Sequence, residues 1–403
     1  MRIEFKPGRL QGNIEAPPSK SMAHRYLISS ALSKEICQIS GVDFSDDILA
    51  TIDCLKALGA DITIQGDNVC INPNKFLQDV DNSVLDCRES GSTLRFFIPL
   101  TLCLGKKIKL CGSTRLFERP LDVYEELCRE KQFIFDKYEN SVVVCGKLES
   151  GTYKIRGDIS SQFITGLLFA LIYMREDASI EIIPPFESRA YVDMTIDALN
   201  LFGADIKFTD EYHISIKKSV MKGFSGSVEG DYSNAAFLDA FNYIDSDVKV
   251  ANLNPESLQG DKVYAIYFKE ISKGVPTIDI SNCPDLGPVL IALAALNHGA
   301  VLKGTDRLKI KESDRGKAMH MELTKLGGGL IMEDDSIIVP KQELKDKGFM
   351  LDGHHDHRIV MALSLVLSKT GGTLEGAEAV KKSYPEFFDD IEKLGAKIER
   401  NVI

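Results

Sequence analysis

The chain has 403 residues, 44% hydrophobic and 27% charged, which is globular composition with material for two or three domains. Its formal net charge of −11 argues against general binding to nucleic acid or to anionic membranes. A local basic cluster can still hold a small anion against that global sign.

The N-terminus, MRIEFKPGRLQGNIEAPPSK, lacks the apolar core of a signal peptide. Next comes PPSKSMAHRYLISSAL (17–32), where prolines and Ser19 precede a helix apolar on nearly all sides. TIDCLKALGADITIQGDNVCI near 51 reads as an amphipathic helix, a glycine past its end, and two strands joined at Gln65-Gly66-Asp67-Asn68. That phrase returns as MTIDALNLFGADIKFTDEYHISI near 194, HMELTKLGGGLIMEDDSIIVP near 320 and DDIEKLGAKIERNVI near 389. Weaker copies are VYEELCREKQFIFDKYENSVVVC near 123 and YAIYFKEISKGVPTIDI near 264. Between them lie further all-round apolar helices, TLRFFIPLTLCL, QFITGLLFALIY, LGPVLIALAAL and HRIVMALSLVLS, which belong in an interior. Six such units give a period of about 67 residues, the scale of a supersecondary building block.

The polar residues gather where the apolar helices begin. Lys20, Ser21 and Arg25 open the first, Glu89 to Thr93 with Arg95 the second, and Asp158 to Gln162 the third. Cys283-Pro284-Asp285 precedes the fourth, and His354-His355-Asp356-His357-Arg358 the fifth. The amphipathic helix near 312 opens with Lys309, Lys311, Glu312, Asp314 and Arg315. A helix start offers unpaired N–H groups and a positive dipole end, so basic residues there suit phosphate or carboxylate. The spacing of four puts Ser21 with Arg25, and Lys311 with Arg315, on a common helix face. Taken singly, Ser, Thr and Asp at these places are ordinary caps. HHDHR has the composition of a metal site, but Asp356 as a cap with His357 packed nearby is favoured. The nine cysteines (37, 54, 70, 87, 103, 111, 128, 145 and 283) form no CxxC pair and read as small buried hydrophobes in a reducing cytosol. No run of about twenty apolar residues appears, so a cytoplasmic protein is expected.

Eight stretches, PSKSMAHR, ESGSTLRF, RLFERP, GDISSQF, PDLGPVLIALAAL, LKIKESDR, DHRIVMALSL and KKSYPEFF, run in order from residue 18 to 388. Together they resemble the 5-enolpyruvylshikimate-3-phosphate synthase family. The resemblance implies an α/β fold of two similar domains. Each has three βαβαββ units around buried parallel helices, an inside-out α/β barrel with helix N-termini facing an interdomain cleft. Residues 1–18 with 229–403 would form one domain and 19–228 the other. It implies transfer of the enolpyruvyl group of phosphoenolpyruvate to the 5-hydroxyl of shikimate 3-phosphate, with release of phosphate. It implies no metal or organic cofactor, no nucleic-acid or membrane partner, and a monomer.

Carried onto this chain, the resemblance gives Lys20, Ser21, Arg25, Ser160, Ser161, Gln162, Ser188, Tyr191, Asp285 and Lys311 to shikimate 3-phosphate. It gives Lys20, Gly91, Arg119, Gln162, Arg315, Arg358 and Lys382 to phosphoenolpyruvate. The family's glycine at position 91 packs close to that ligand. Asp285 resembles the acceptor of the hydroxyl proton, Glu312 the proton donor and acceptor at C3, and Lys382 a supporting acid, with Lys20 between both substrates. Two positions depart: many members have Asn at Glu89, and some have Asn at Arg307. The alternatives are the sister UDP-N-acetylglucosamine enolpyruvyl transferase and an inactive anion-binding homologue. The sister carries Lys-Asn where this chain has Lys20-Ser21, and its reactive Cys falls at Thr114. A dead homologue is expected to have lost Asp285, Glu312 or Lys20.

Overall fold

The computed structural model describes residues 1–78, 80 and 84–401. The chain forms two compact units. One is continuous, Pro18–Glu229; the other is discontinuous, Met1–Pro17 with Gly230–Ile403. Each has its own apolar core.

The continuous unit contains α1 (Lys20–Leu32), α2 (Asp46–Ala57), α3 (Gly91–Leu102), α4 (Thr114–Glu118), α5 (Asp122–Glu130), α6 (Ser161–Met174) and α7 (Arg189–Leu201). Three four-stranded sheets surround them, all built to one plan. In the second, Val84–Asp86 runs parallel to Ile108–Cys111, which pairs antiparallel with Ser141–Cys145, which closes a hairpin with Ile134–Lys137. The third repeats this with Thr152–Arg156, Ala178–Ile183, His213–Lys217 and Asp205–Phe208. The first takes its parallel strand, Ser225–Ser227, from the far end of the unit. Its hairpin pairs Gln65 with Asn68 across a two-residue turn whose Gly66 has φ +61°.

The discontinuous unit contains α8 (Tyr232–Asp239), α9 (Tyr264–Lys273), α10 (Gly287–Leu296), α11 (Arg315–Lys325), α12 (His357–Thr370) and α13 (Phe387–Lys393). One sheet follows the same plan with Thr277–Asp279, Ala300–Lys303, Ser336–Val339 and Ile331–Met332. Another does so only by borrowing the N-terminus: Arg2–Lys6 lies between Gly372–Glu375 and Lys397–Asn401. The third is a parallel pair, Gln11–Glu15 with Asp247–Ala251.

Two expected copies of the repeat therefore differ from the pattern. After α9 comes a single strand that opens the next sheet, not a hairpin. The copy near 389 gives α13 and one strand, and the chain's first strand supplies the partner. Val402 and Ile403, the end of that expected strand, lie outside the described residues.

The all-round apolar helices are interior elements: eleven of the thirteen residues of α1 are buried, and nine of the ten in α10. Their few hydroxyls bond back to the preceding turn, as Ser30 Oγ does to the Tyr26 carbonyl (2.7 Å) and Ser364 Oγ to that of Val360 (2.8 Å). The amphipathic helices end on a left-handed residue that turns the chain into its strand: Gly59 at φ +96° and Gly203 at +89°. In the glycine-less copy after α5, Gln132 takes that conformation, at φ +58°. Five cysteines are buried; Cys70, Cys103, Cys111 and Cys145 are half-buried, so the reading of all nine as core residues holds for five. All are free thiols.

Helices α3 and α6 approach at Gly166, where a Cβ would meet the Arg95 carbonyl oxygen at 2.3 Å and the Tyr124 hydroxyl at 2.5 Å. Backbone is the nearest obstacle, and it cannot swing aside as a side chain could. Gly166→Ala is expected to cost about 1–3 kcal/mol of stability, read as a lower urea midpoint with an unchanged slope.

Candidate active site

The expected residues divide between the two units. In the continuous unit they lie at the starts of helices. Ser19 caps α1 (Oγ to Met22 N, 3.4 Å), Ser90 caps α3 (to Thr93 N, 3.2 Å), and Ser160 caps α6 (to Gln162 N, 3.3 Å). These serines do what caps do; Ser160 is therefore both a cap and an expected ligand contact.

Arg25 is buried at 3% exposure and fixed on three sides. Its Nε donates to Thr195 Oγ1 (2.9 Å), Nη1 to the Ser21 carbonyl (2.6 Å) and Nη2 to the Tyr191 carbonyl (2.7 Å). All three acceptors are neutral, so the guanidinium is held without being neutralised. Burial draws its pKa down to about 10, still charged at neutral pH. Ser21, Arg25 and Tyr191 are thus brought together. Lys20 pairs with Asp47 of α2 at 2.7 Å. Ser188 precedes α7 in a left-handed conformation, φ +53° and ψ +41°, and is 1% exposed; strain of that kind in a serine needs surrounding structure to hold it.

Gln162 spans two partners. Arg95 Nη1 donates to its Oε1 (2.8 Å), which leaves its Nε2 to donate to Ser92 Oγ (2.9 Å). Arg95 Nη2 also donates to the Pro120 carbonyl (3.0 Å), next to Arg119. Gly91 begins α3, and a Cβ there would stand 2.7–2.9 Å from the Arg119 guanidinium. What presses on Gly91 in this chain is therefore Arg119. A cavity of about 540 Å³, lined by Ser33, Lys34, Tyr173 and Arg175 among others, lies at the C-terminal ends of α1 and α6 and includes none of the expected residues.

In the discontinuous unit the charged residues converge on Asp285. Arg315 Nη1 stands 2.8 Å from its Oδ1, Lys311 Nζ 3.1 Å from the same oxygen, and Arg358 Nη2 3.2 Å from Oδ2. Burial works to raise the carboxyl, but Arg358, Lys311 and Arg315 outweigh it and hold it well below the usual carboxylate range. Arg315 also donates from Nη2 to Glu312 Oε2 (2.8 Å) and from Nε to Asp356 Oδ2 (2.9 Å). Burial pulls Lys311 down to about 8, opposed by Asp285 and aided by Arg307 and Arg315. Arg307 itself is 8% exposed and donates to the Ser281 carbonyl (3.1 Å). Lys382 Nζ donates to the His355 carbonyl (2.7 Å).

Two expectations are corrected here. Lys311 is in extended backbone (φ −89°, ψ −161°) ahead of α11, so it shares no helix face with Arg315; the two meet through Asp285. Lys309 does not join them, because it pairs with Asp306 at 2.6 Å on the surface. Asp285 itself lies in a 3₁₀ turn, Pro284–Leu286, ahead of α10. In HHDHR, Asp356 caps α12 through Arg358 N (2.9 Å), and His354 Nε2 meets Glu322 Oε1 (2.8 Å). Among the described residues, no group of three or more His, Cys, Asp or Glu side chains is placed to hold a metal ion.

Asp47, Ser92, Thr195 and Asp356 were not among the expected site residues. Asp356 was visible as a cap beside Arg358. Ser92 lay in the polar helix start beside Gly91, but its bond to Gln162 spans 70 residues; Asp47 and Thr195 carry no local signal, because each reaches its partner from another helix.

Residues 5–391 match the family profile of EPSP synthase (3-phosphoshikimate 1-carboxyvinyltransferase). The chain is 40% identical over 420 aligned positions to the 3-phosphoshikimate 1-carboxyvinyltransferase of Clostridium kluyveri, covering 98% of both chains. It is 38% identical to that of Clostridium perfringens at the same coverage. Among solved structures, it superposes on the EPSP synthase of Acinetobacter baumannii with a TM-score of 0.79 at 23% identity, over 99% of each chain. It superposes on the enolpyruvyl transferase NikO of Streptomyces tendae with a TM-score of 0.77 at 14% identity, over 100% of this chain and 99% of that one. At such identities the structural likeness speaks to the fold alone.

Breaking a buried ion cluster by removing one member typically costs about 3–5 kcal/mol. Arg315→Met, which takes a charged partner from each of Asp285, Glu312 and Asp356, is expected to lose about that much in urea unfolding at neutral pH. A carboxylate depressed in the folded state contributes stability above its unfolded pKa and loses it as pH falls. The gap between wild type and variant therefore narrows below about pH 4.

Proposed function

The chain belongs to the EPSP synthase family, and we propose that its residues divide that family's reaction between them as follows. The enzyme transfers the 1-carboxyvinyl group of phosphoenolpyruvate to the 5-hydroxyl of shikimate 3-phosphate and releases phosphate. The hydroxyl oxygen attacks C2 of phosphoenolpyruvate while C3 gains a proton. The tetrahedral adduct then expels phosphate as C3 returns a proton. This chemistry needs an acceptor for the hydroxyl proton, a donor for C3, and fixed cations for two polyanions.

Asp285 takes the hydroxyl proton, and Lys311 orients it from 3.1 Å. Glu312 exchanges the proton at C3, aimed by Arg315, with Lys382 as supporting acid. Arg315 has one further N–H group, on Nη1, for phosphoenolpyruvate once Asp285, Glu312 and Asp356 are served. Arg358, Arg119 and Lys382 complete the grip on that substrate, with Gly91 leaving room for the Arg119 guanidinium and Gln162 offering its amide. Lys20, Ser21, Arg25, Ser160, Ser161, Gln162, Ser188 and Tyr191 hold shikimate 3-phosphate, and Lys20 also reaches phosphoenolpyruvate. Arg307 takes the place of an asparagine in some relatives and adds a cation beside Lys311.

What carries the assignment is the retention of the whole charged set, Asp285 with Arg315, Lys311 and Arg358 at 2.8–3.2 Å, in a chain matched to the family over nearly its full length. A dead homologue has no need to keep a buried acid among three cations. Against the sister transferase, Ser21 follows Lys20, and Thr114 stands where its reactive cysteine would be. We take 1–18 with 229–403, and 19–228, as the two domains, one residue at each crossing from the bounds of the compact units. The working species is a monomer, and nine free thiols suit the reducing cytoplasm.

A coupled phosphate-release assay with shikimate 3-phosphate and phosphoenolpyruvate tests the reaction directly; no release would refute it. Asp285→Asn is expected to lower kcat by about 10²–10⁴-fold with KM for either substrate little changed. An unaltered kcat would take Asp285 out of the base role. Because Lys311 loses its proton above about pH 8, affinity for shikimate 3-phosphate is expected to fall as pH rises through that value, measured by fluorescence titration or calorimetry.

A further inference from the structure

Asp285 is a poorly placed base on first sight. Arg315, Lys311 and Arg358 stand 2.8, 3.1 and 3.2 Å from its oxygens. Every one of them stabilises the carboxylate, and a carboxylate so stabilised has little pull on an alcohol proton.

A second buried acid of the same unit opposes them. Asp261 lies in the 3₁₀ turn Gly260–Val263 and is 1% exposed. Ser233 Oγ, from α8, donates to its Oδ2. Its Oδ1 is buried without a hydrogen-bond partner, a costly state for a carboxylate oxygen that calls for an explanation. The turn cannot swing the acid outward. Gln259 Oε1 accepts from Tyr232 N (3.0 Å), Gln259 Nε2 donates to the Gly230 carbonyl (2.8 Å), and Lys262 Nζ donates to that of Ser257 (2.7 Å).

The 3₁₀ turn that carries Asp261 and the one that carries Asp285 both pack against α8, and the charges that act on Asp261 are Asp285, then Arg358 on α12 and Asp231 at the cap of α8. Cys283, beside Asp285, also senses it; Lys262 follows it in sequence but is turned to Ser257. Burial, then the charge on Asp285, push the Asp261 carboxyl up to about 6, while Arg358 and Ser233 pull it down. That coupling is reciprocal: whatever Asp285 does to the proton affinity of Asp261, Asp261 does to that of Asp285.

We propose that Asp261 is a positioning residue for the transfer reaction, whose buried negative charge offsets the cations around Asp285 and keeps that carboxylate basic enough to accept the hydroxyl proton. The proposal rests on the assignment of Asp285 as the base. It has a definite sign in pH. When Asp261 is ionised, Asp285 is the stronger base; when Asp261 takes up a proton below about pH 6, Asp285 weakens and turnover falls.

The test compares kcat of the full-length wild type and Asp261→Asn at saturating shikimate 3-phosphate and phosphoenolpyruvate, from about pH 5 to about pH 9. Both substrates carry phosphates that titrate in this range, but their contribution cancels in the ratio of the two rates. The ratio is expected to be about 3–10 above neutral pH and to fall toward one below about pH 6. A ratio that is one throughout, or that does not change with pH, overturns the role. Should the Asn variant not fold, Ser233→Ala decides. It keeps the acid and removes a bond that favours its ionised form, so the inflection in kcat moves to higher pH; an unmoved inflection overturns the proposal. Wild-type protein that releases no phosphate would remove the reaction and this role together. Normal wild-type turnover with a pH-independent ratio removes the role alone.

Discussion

The charged half of the site in the discontinuous unit depends on where one guanidinium is held. Arg315 is 1% exposed, begins α11, and reaches Asp285, Glu312 and Asp356 from three nitrogens at 2.8–2.9 Å. Those carboxylates stand ahead of α10, ahead of α11 and at the cap of α12. A single planar fork therefore sets three helix starts in register. A lysine, as a point charge, would serve them one at a time. Its burden of negative charge is shared: Asp285, Glu312 and Asp356 face Arg315, Lys311 and Arg358, three against three. A buried cluster so balanced is tolerable in an acidic protein, and it leaves Asp285 ionised at neutral pH.

The two units fix their cations by different means. In the discontinuous unit carboxylates hold Arg315, Lys311 and Arg358, while Lys382 and Arg307 donate to carbonyls. In the continuous unit Arg25 is fixed by two carbonyls and a threonine hydroxyl. Neutral acceptors position a guanidinium and leave its charge unspent, which is what a pocket for a phosphate requires. Lys20, paired with Asp47, is the exception. The continuous unit thus presents a buried guanidinium held by neutral groups, and the discontinuous unit a buried cluster of paired charges.

Much of this was legible in the chain because the relevant physics is local. Period, caps and apolar faces are written within a dozen residues, so the buried helices, the tight turn of the first hairpin and the cap role of Asp356 could be read directly. The turn after Gln65 needs Gly66 for its left-handed backbone. The polar helix starts were legible for the same reason. What escaped is what depends on distant contacts. Spacing alone put Lys311 on a helix with Arg315, but the chain stays extended there and Asp285 joins them. Thr195 braces Arg25 from 170 residues away, and Ser92 meets Gln162 across 70. The missing hairpins after α9 and α13 are likewise a matter of topology, since the chain's own beginning completes the last sheet.

That borrowed strand bears on how the molecule comes off the ribosome. Residues 2–6 are made long before the strands on either side of them, 372–375 and 397–401. The continuous unit needs nothing beyond residue 229 and can close while synthesis proceeds. Residues 2–6 meanwhile lack both neighbouring strands until 372–375 and 397–401 have been made. Synthesis order therefore allows Pro18–Glu229 to close before the other unit is complete, and the five-residue strand Arg2–Lys6 can be paired on both sides only once residues 397–401 exist.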